Sequence, residues 1–235
     1  MATKFSTKTA SLFFLVLCLT VILFFSLLCF SADPDPLQDF CVADLNSTIR
    51  TNGYPCKPES QVTSNDFFFS GLMTGASTEN PFGAGLKFGD VTAFPAQGLT
   101  VSRIDIIPGG IIPLHVHPRA SEANFILTGK VYFGLVTTTD VLYSKVMKAK
   151  ELFIVPRGLV HFAVNVEQRN AIVLAILNSQ LPGFSTLPLN LFASTPTIPN
   201  YILAKNFRVD DKVIAIIKSK FAPNGSLPIT TWEDI

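Results

Sequence analysis

The stretch "PLHVHPRASEANFILTGKVYFGLV", residues 113–136, decides how the chain is read. On a strand, residues i and i+2 point to one face. His115 and His117 therefore project together, with Leu114 and Val116 on the opposite face. Glu122 follows the Pro-containing bend "PRAS" and can return beside them. The chain has three histidines in all, and the third, His161, opens another apolar run after the turn Pro156-Arg157-Gly158. Three imidazoles and one carboxylate around an interior site would make a four-ligand metal centre with open positions. A lone histidine on an apolar face is usually a hydrogen-bonded core or surface residue. Here all the histidines fall at strand starts in one β region with an acid close by, which favours metal binding. Imidazole and carboxylate ligands without a thiolate suit manganese, iron(II) or zinc.

Outward from that stretch, short apolar runs rich in Val, Ile and Phe alternate with turn signals. "LTVSRIDI", "ANFILTGKVYFGLV", "DVLYSKVM", "ELFIVP", "HFAVNV" and "AIVLAIL" follow one another between residues 99 and 177. Such spacing predicts an all-β sandwich or barrel, placed over residues 65–200. Gly109 and Gly110, after Pro108, can supply a positive φ at one turn. The period then changes. Val209, Val213, Ile216, Ile217 and Phe221 recur at helical spacing, with Asp210 as N-cap and Val209 and Ile214 set for a hydrophobic staple. Lys218 and Lys220 complement the dipole of the last turn. Residues 201–235 are thus a helical extension and tail, whose apolar stripe either covers the barrel or docks on another subunit.

At the other end, Lys4 and Lys8 precede a nearly continuous apolar run from Leu12 to Phe30, closed by the small residues Ser31 and Ala32. This is the pattern of a secretory signal peptide over residues 1–32, although the run is long enough to serve as an uncleaved anchor. Removing it takes Lys+Arg from 18 to 16 against 17 Asp+Glu, a balance that gives no support to nucleic-acid binding, which needs a basic face. Of the four cysteines, Cys18 and Cys29 leave with the signal, and Cys41 and Cys56 remain in an oxidising compartment. That pair reads as a disulfide stapling an arm over residues 33–64. Asn46-Ser47-Thr48 and Asn224-Gly225-Ser226 match the N-glycosylation pattern.

Taken together, the motifs resemble those of plant germin-like proteins of the cupin superfamily. The first cupin motif is matched by Gly109, five residues, His115-Val116-His117, four residues, Glu122, six residues and Gly129. The second is matched by Pro156, four residues, His161, three residues and Asn165. The arm "DPDPLQDFCVADL", Cys56 and the ending "KSKF" extend the likeness from Asp33 to about Phe221. The resemblance implies a single jelly-roll-like cupin β-barrel holding manganese through His115, His117, Glu122 and His161. It also implies a Cys41–Cys56 disulfide and a homo-oligomer, commonly a hexamer, in the apoplast or cell wall. Two departures stand out. Lys150 occupies the position, six residues before Pro156, where the second motif usually opens with Gly. Oxalate-oxidising germins carry two asparagines beside the metal, and the matching positions here are Ser102 and Ile112. Ile112 cannot donate a hydrogen bond to a carboxylate, which counts against oxalate oxidation. Two functions remain open on these residues. One is a secreted manganese protein acting on a small anion, superoxide dismutation first. The other is a non-enzymatic ligand-binding or wall-associated glycoprotein with a structural metal.

Overall fold

Alternating apolar and polar residues become strands wherever that pattern runs unbroken. A computed structural model describes residues 14–20, 39–49, 54–89 and 98–221. The chain divides into two units, Met1–Pro34 and Asp35–Ile235. In the first, residues 14–20 are helical and carry Cys18; the rest of the expected signal peptide lies outside the described residues. No helix among the described residues is long and apolar enough to cross a membrane.

Among the described residues the second unit carries ten strands: β1 (Ala84–Phe88), β2 (Thr100–Ile106), β3 (Ile111–Val116), β4 (Glu122–Thr128), β5 (Lys130–Val136), β6 (Leu142–Lys148), β7 (Leu152–Val155), β8 (Val160–Asn165), β9 (Ala171–Leu177) and β10 (Ser185–Thr186). They form two five-stranded sheets, β1-β2-β9-β4-β7 and β10-β3-β8-β5-β6, in which every strand pair is antiparallel. Period-two burial is clearest in β9, where Ala171, Val173, Ala175 and Leu177 all point inward. These meet Ile104 and Ile106 of β2, Ile126 of β4, and Ile112, Val131 and Phe133 from the opposite sheet in one core. Each fully buried branched side chain of this kind contributes about 1.5–3 kcal/mol. The apolar runs all reappear as strands, and the fold is all-β with C-terminal helices, a jelly-roll-like pair of sheets. β1 and β10 are additions that the sequence pattern did not signal.

Positive-φ turns separate the strands. Gly109 takes φ 73° between β2 and β3, and Gly158 takes φ 74° between β7 and β8. Ahead of the sheets, Cys41 and Cys56 are joined by a disulfide with Cα atoms 5.1 Å apart. Main-chain bonds reinforce the staple, with Lys57 N–H donating to Val42 O at 2.6 Å. A closed loop of about 15 residues stabilises by roughly 3 kcal/mol in the chain-entropy view.

Among the described residues three helices follow the sheets: α1 (Leu187–Phe192), α2 (Asn200–Phe207) and α3 (Asp211–Lys220). Asp210 caps α3 as expected, its side chain accepting from Lys212 N–H at 2.8 Å. A second small core joins Leu203 and Ala204 of α2 to Ile214 of α3, with Leu191, Phe192 and Ile198 against it. The helical stripe is therefore split. Ile214 is fully buried among the helices, whereas Val209, Val213 and Ile216 stay exposed. Asn224 and the tail beyond Phe221 lie outside the described residues.

Candidate metal centre

β3 and β8 are antiparallel neighbours with His115 directly opposite His161. That pairing corrects one expectation. Only His161 sits at a strand start; His115 is near the end of β3 and His117 just beyond it. Antiparallel pairing brings the end of one strand beside the start of the next, so the imidazoles still meet. The period-two rule holds through the motif, since His115 and His117 are buried and Leu114 is exposed. Gly158 N–H donates to His117 O at 3.0 Å, tying the loop ahead of β8 to the end of β3. Glu122 opens β4 in the other sheet, after a bend pinned by Arg119 N–H to Pro182 O at 3.1 Å. All four side chains are buried, and each offers one ligand atom within 4.8 Å of the others.

Main-chain carbonyls hold each ring. His115 Nδ1 lies 2.8 Å from Pro113 O, His161 Nδ1 2.9 Å from Leu159 O, and His117 Nδ1 2.5 Å from Gly183 O. A carbonyl only accepts, so each Nδ1 carries the hydrogen and each Nε2 turns a lone pair into the site. Glu122 Oε2 faces two of them, 3.0 Å from His161 Nε2 and 3.5 Å from His117 Nε2. Lone pairs opposed to a carboxylate need positive charge between them, as a proton or a cation. His117 Nε2 has no hydrogen-bond partner among the described residues. Burial, together with the neighbouring His161 and His117, pushes the His115 imidazolium well below its ordinary 6.5. Burial alone would raise Glu122, but the adjoining His117 and His161 outweigh it and hold the carboxylate well below its usual range. A neutral His115 imidazole beside an ionised Glu122 carboxylate is what a divalent cation requires of those two groups. The residues fit a metal ion.

The cavity against this cluster is small, with about 20 Å³ open to the centre of a water molecule. A single water needs about 10–15 Å³ on that measure. Ser102 and Ile112 both line it, beside Phe88, Phe162 and Phe184. The Phe184 ring lies 4.4 Å from that of His115 at 30°. Asn165 of the second motif is structural. Its amide donates to Ile106 O and Arg169 O, both at 2.8 Å, and closes the end of β8.

Sequence reasoning missed three contributors. Gly183 and Phe184 come from the segment after β9, and nothing near the histidines signals them. Asn124 could have been found, because it stands two residues after Glu122 on the same strand and so on the same face. It is buried, it lines the cavity, and its Nδ2 has no hydrogen-bond partner among the described residues.

Comparison with known proteins agrees with this fold. A family model described as Cupin matches residues 74–215. Germin-like protein subfamily T member 2 of Arabidopsis thaliana is 47% identical over 213 residues, covering 89% of this chain and 94% of the relative. Nectarin-1 of Nicotiana plumbaginifolia is 44% identical over 198 residues, covering 83% and 86%. Among solved structures, recombinant oxalate oxidase in complex with glycolate superposes with a TM-score of 0.79 at 42% identity, covering 83% of this chain and 100% of that one.

Proposed function

Because the chain belongs to the germin-like proteins of the cupin family, we propose that it is a secreted manganese protein acting on a small anion, superoxide before others. The observation that carries the reading is the convergence of His115, His117, Glu122 and His161 within 4.8 Å. These four residues would hold the ion through three imidazole nitrogens and one carboxylate oxygen, a donor set open to manganese, iron(II) or zinc, of which family likeness favours manganese. When bound, the ion would supply a reversible one-electron couple and an open position for a small anion. The chain's own part is to keep three Nε2 lone pairs and one carboxylate aimed inward, and to exclude bulk water with phenylalanine walls.

The size and lining of the cavity argue for a small ligand. About 20 Å³ open to water centres suits a ligand of a few atoms. Ile112, wholly buried in the wall, offers no donor. A missing donor to a bound anion costs about 1–3 kcal/mol. Oxalate oxidation, the activity of the structural relative, is therefore not the activity expected here.

A disulfide fits an oxidising compartment, so the extracellular space, apoplast or cell wall is the proposed location, with a role in defence or wall processes. Asn46 is exposed, as a glycosylated asparagine must be, and Asn224 is the second proposed site. The exposed face of Val209, Val213 and Ile216 supports a homo-oligomer, a hexamer by family likeness. A second reading, a non-enzymatic ligand-binding or receptor-like wall protein with a structural metal, rests on the apolar Ile112 beside the ligand cluster.

Elemental analysis of the purified protein, with superoxide and oxalate assays on the same sample, separates these. Roughly one manganese per chain is expected by the four-ligand count, with superoxide turnover that disappears together with the metal in His115→Ala. Stoichiometric manganese without turnover would favour the binding protein. A metal-free protein purified without chelators would sink both.

A further inference from the structure

We infer that Asn124 is the hydrogen-bond donor of a ligand subsite beside the metal centre, receiving the far atom of a small anion of two or three atoms. The inference rests on the metal reading above and adds to it where the anion is held. Its basis is a row of side chains across one sheet. Ser102 of β2 and Asn124 of β4 both pair with Ala175 of β9. All three are buried, and Ser102 and Asn124 line the cavity that holds the ligand cluster. Neighbouring strands lie about 4.8 Å apart, so the two polar residues flank a methyl-sized floor about 9.6 Å across.

Within β4, Asn124 follows Glu122 by one strand repeat, about 6.6 Å along the same face. An atom bound near Glu122 and an acceptor reaching toward Asn124 are thus within the span of one short anion. A primary amide buried without a partner destabilises the fold. Asn124 Nδ2 is such a group among the described residues, although the remaining wall positions around it are filled by apolar side chains such as Phe133 and Leu177. An unsatisfied donor in the wall of a small pocket is what an anion-accepting site requires and what a purely structural core avoids. Ile112, in the facing sheet, leaves that side of the cavity without a donor. The anion's polar contact away from the metal therefore falls on the Asn124 side.

The test compares the manganese-loaded full chain with Asn124→Leu, which keeps the branched shape and removes the donor, and with Asn124→Ala in case the larger leucine does not fit. Azide is the probe, titrated by calorimetry, alongside thermal unfolding and manganese content. The expected result is azide affinity lowered about 10-fold or more, with manganese content unchanged and a thermal midpoint equal to or above that of the parent. Unchanged azide affinity at full manganese content would overturn the inference and leave the proposed function standing. A variant that binds azide normally and unfolds earlier would show Asn124 to be structural and overturn it equally. Failure of the parent chain to hold manganese would overturn the metal reading itself, and this inference with it.

Discussion

Lys150 adopts φ 75° in the turn between β6 and β7, where its family's second motif usually has glycine. Left-handed backbone costs a side-chain-bearing residue about 1–2 kcal/mol, against about 0.5–1 kcal/mol of extra chain entropy for glycine. Lys150→Gly should therefore stabilise by up to about 1 kcal/mol without altering metal content, read as a higher urea midpoint at unchanged slope. The departure is confined to the turn and leaves the ligands in place. At this scale the four ligand candidates were legible, because period-two geometry and the shortage of histidines leave few alternatives. What holds their rings was not. Pro113 and Leu159 each sit two residues before a histidine, but Gly183 lies 66 positions from His117. No local pattern announces which carbonyl a loop will present. Asn124 went unread for a different reason, since an asparagine in a strand ordinarily counts as a poor strand former.

Gly129 ends β4 and lets β5 begin at once, turning the single apolar run from Ala123 to Val136 into two strands of opposite sheets. Its φ is 89°, and a Cβ placed there would meet Ala171 Cβ at 2.8 Å and Cα at 2.9 Å. Ala171 is wholly buried at the start of β9 and has nowhere to move. Gly129→Ala should cost about 2 kcal/mol or more, from strain and overpacking together. Thermal unfolding checks it; an unchanged midpoint would mean that the turn relaxes freely. The strands themselves were legible wherever alternation ran long enough. β10 was not, because its two residues are a strand only through pairing with Val116 and His115. β1 is five residues opening on Ala-Gly, too short and too small to stand out. The helical stripe of α3 was seen, but the sequence could not assign its sides, and the split between buried Ile214 and exposed Val213 and Ile216 follows from where α2 packs.

For the whole molecule, burying this cluster makes stability depend on acidity. The unfolded chain takes up a proton at His115 near its ordinary 6.5 and at Glu122 near its ordinary 4.5, while the fold resists both. The unfolded state then binds more protons, so stability falls as pH falls. The stabilisation is complete above about 6.5 and is lost progressively through and below 4.5. Thermal midpoints of metal-free protein across that range should decline, and His115→Phe should flatten the upper part of the decline. A flat profile in the parent would contradict the burial argument. The anchoring of the rings has a consequence for divergence. Pro113, Leu159 and Gly183 orient the three imidazoles through main-chain oxygens, which every amino acid possesses. Natural variation can therefore exchange wall residues such as Ser102, Ile112 or Asn124 while the grip on the ion is inherited intact, so that related chains can share one metal and differ in what they bring to it.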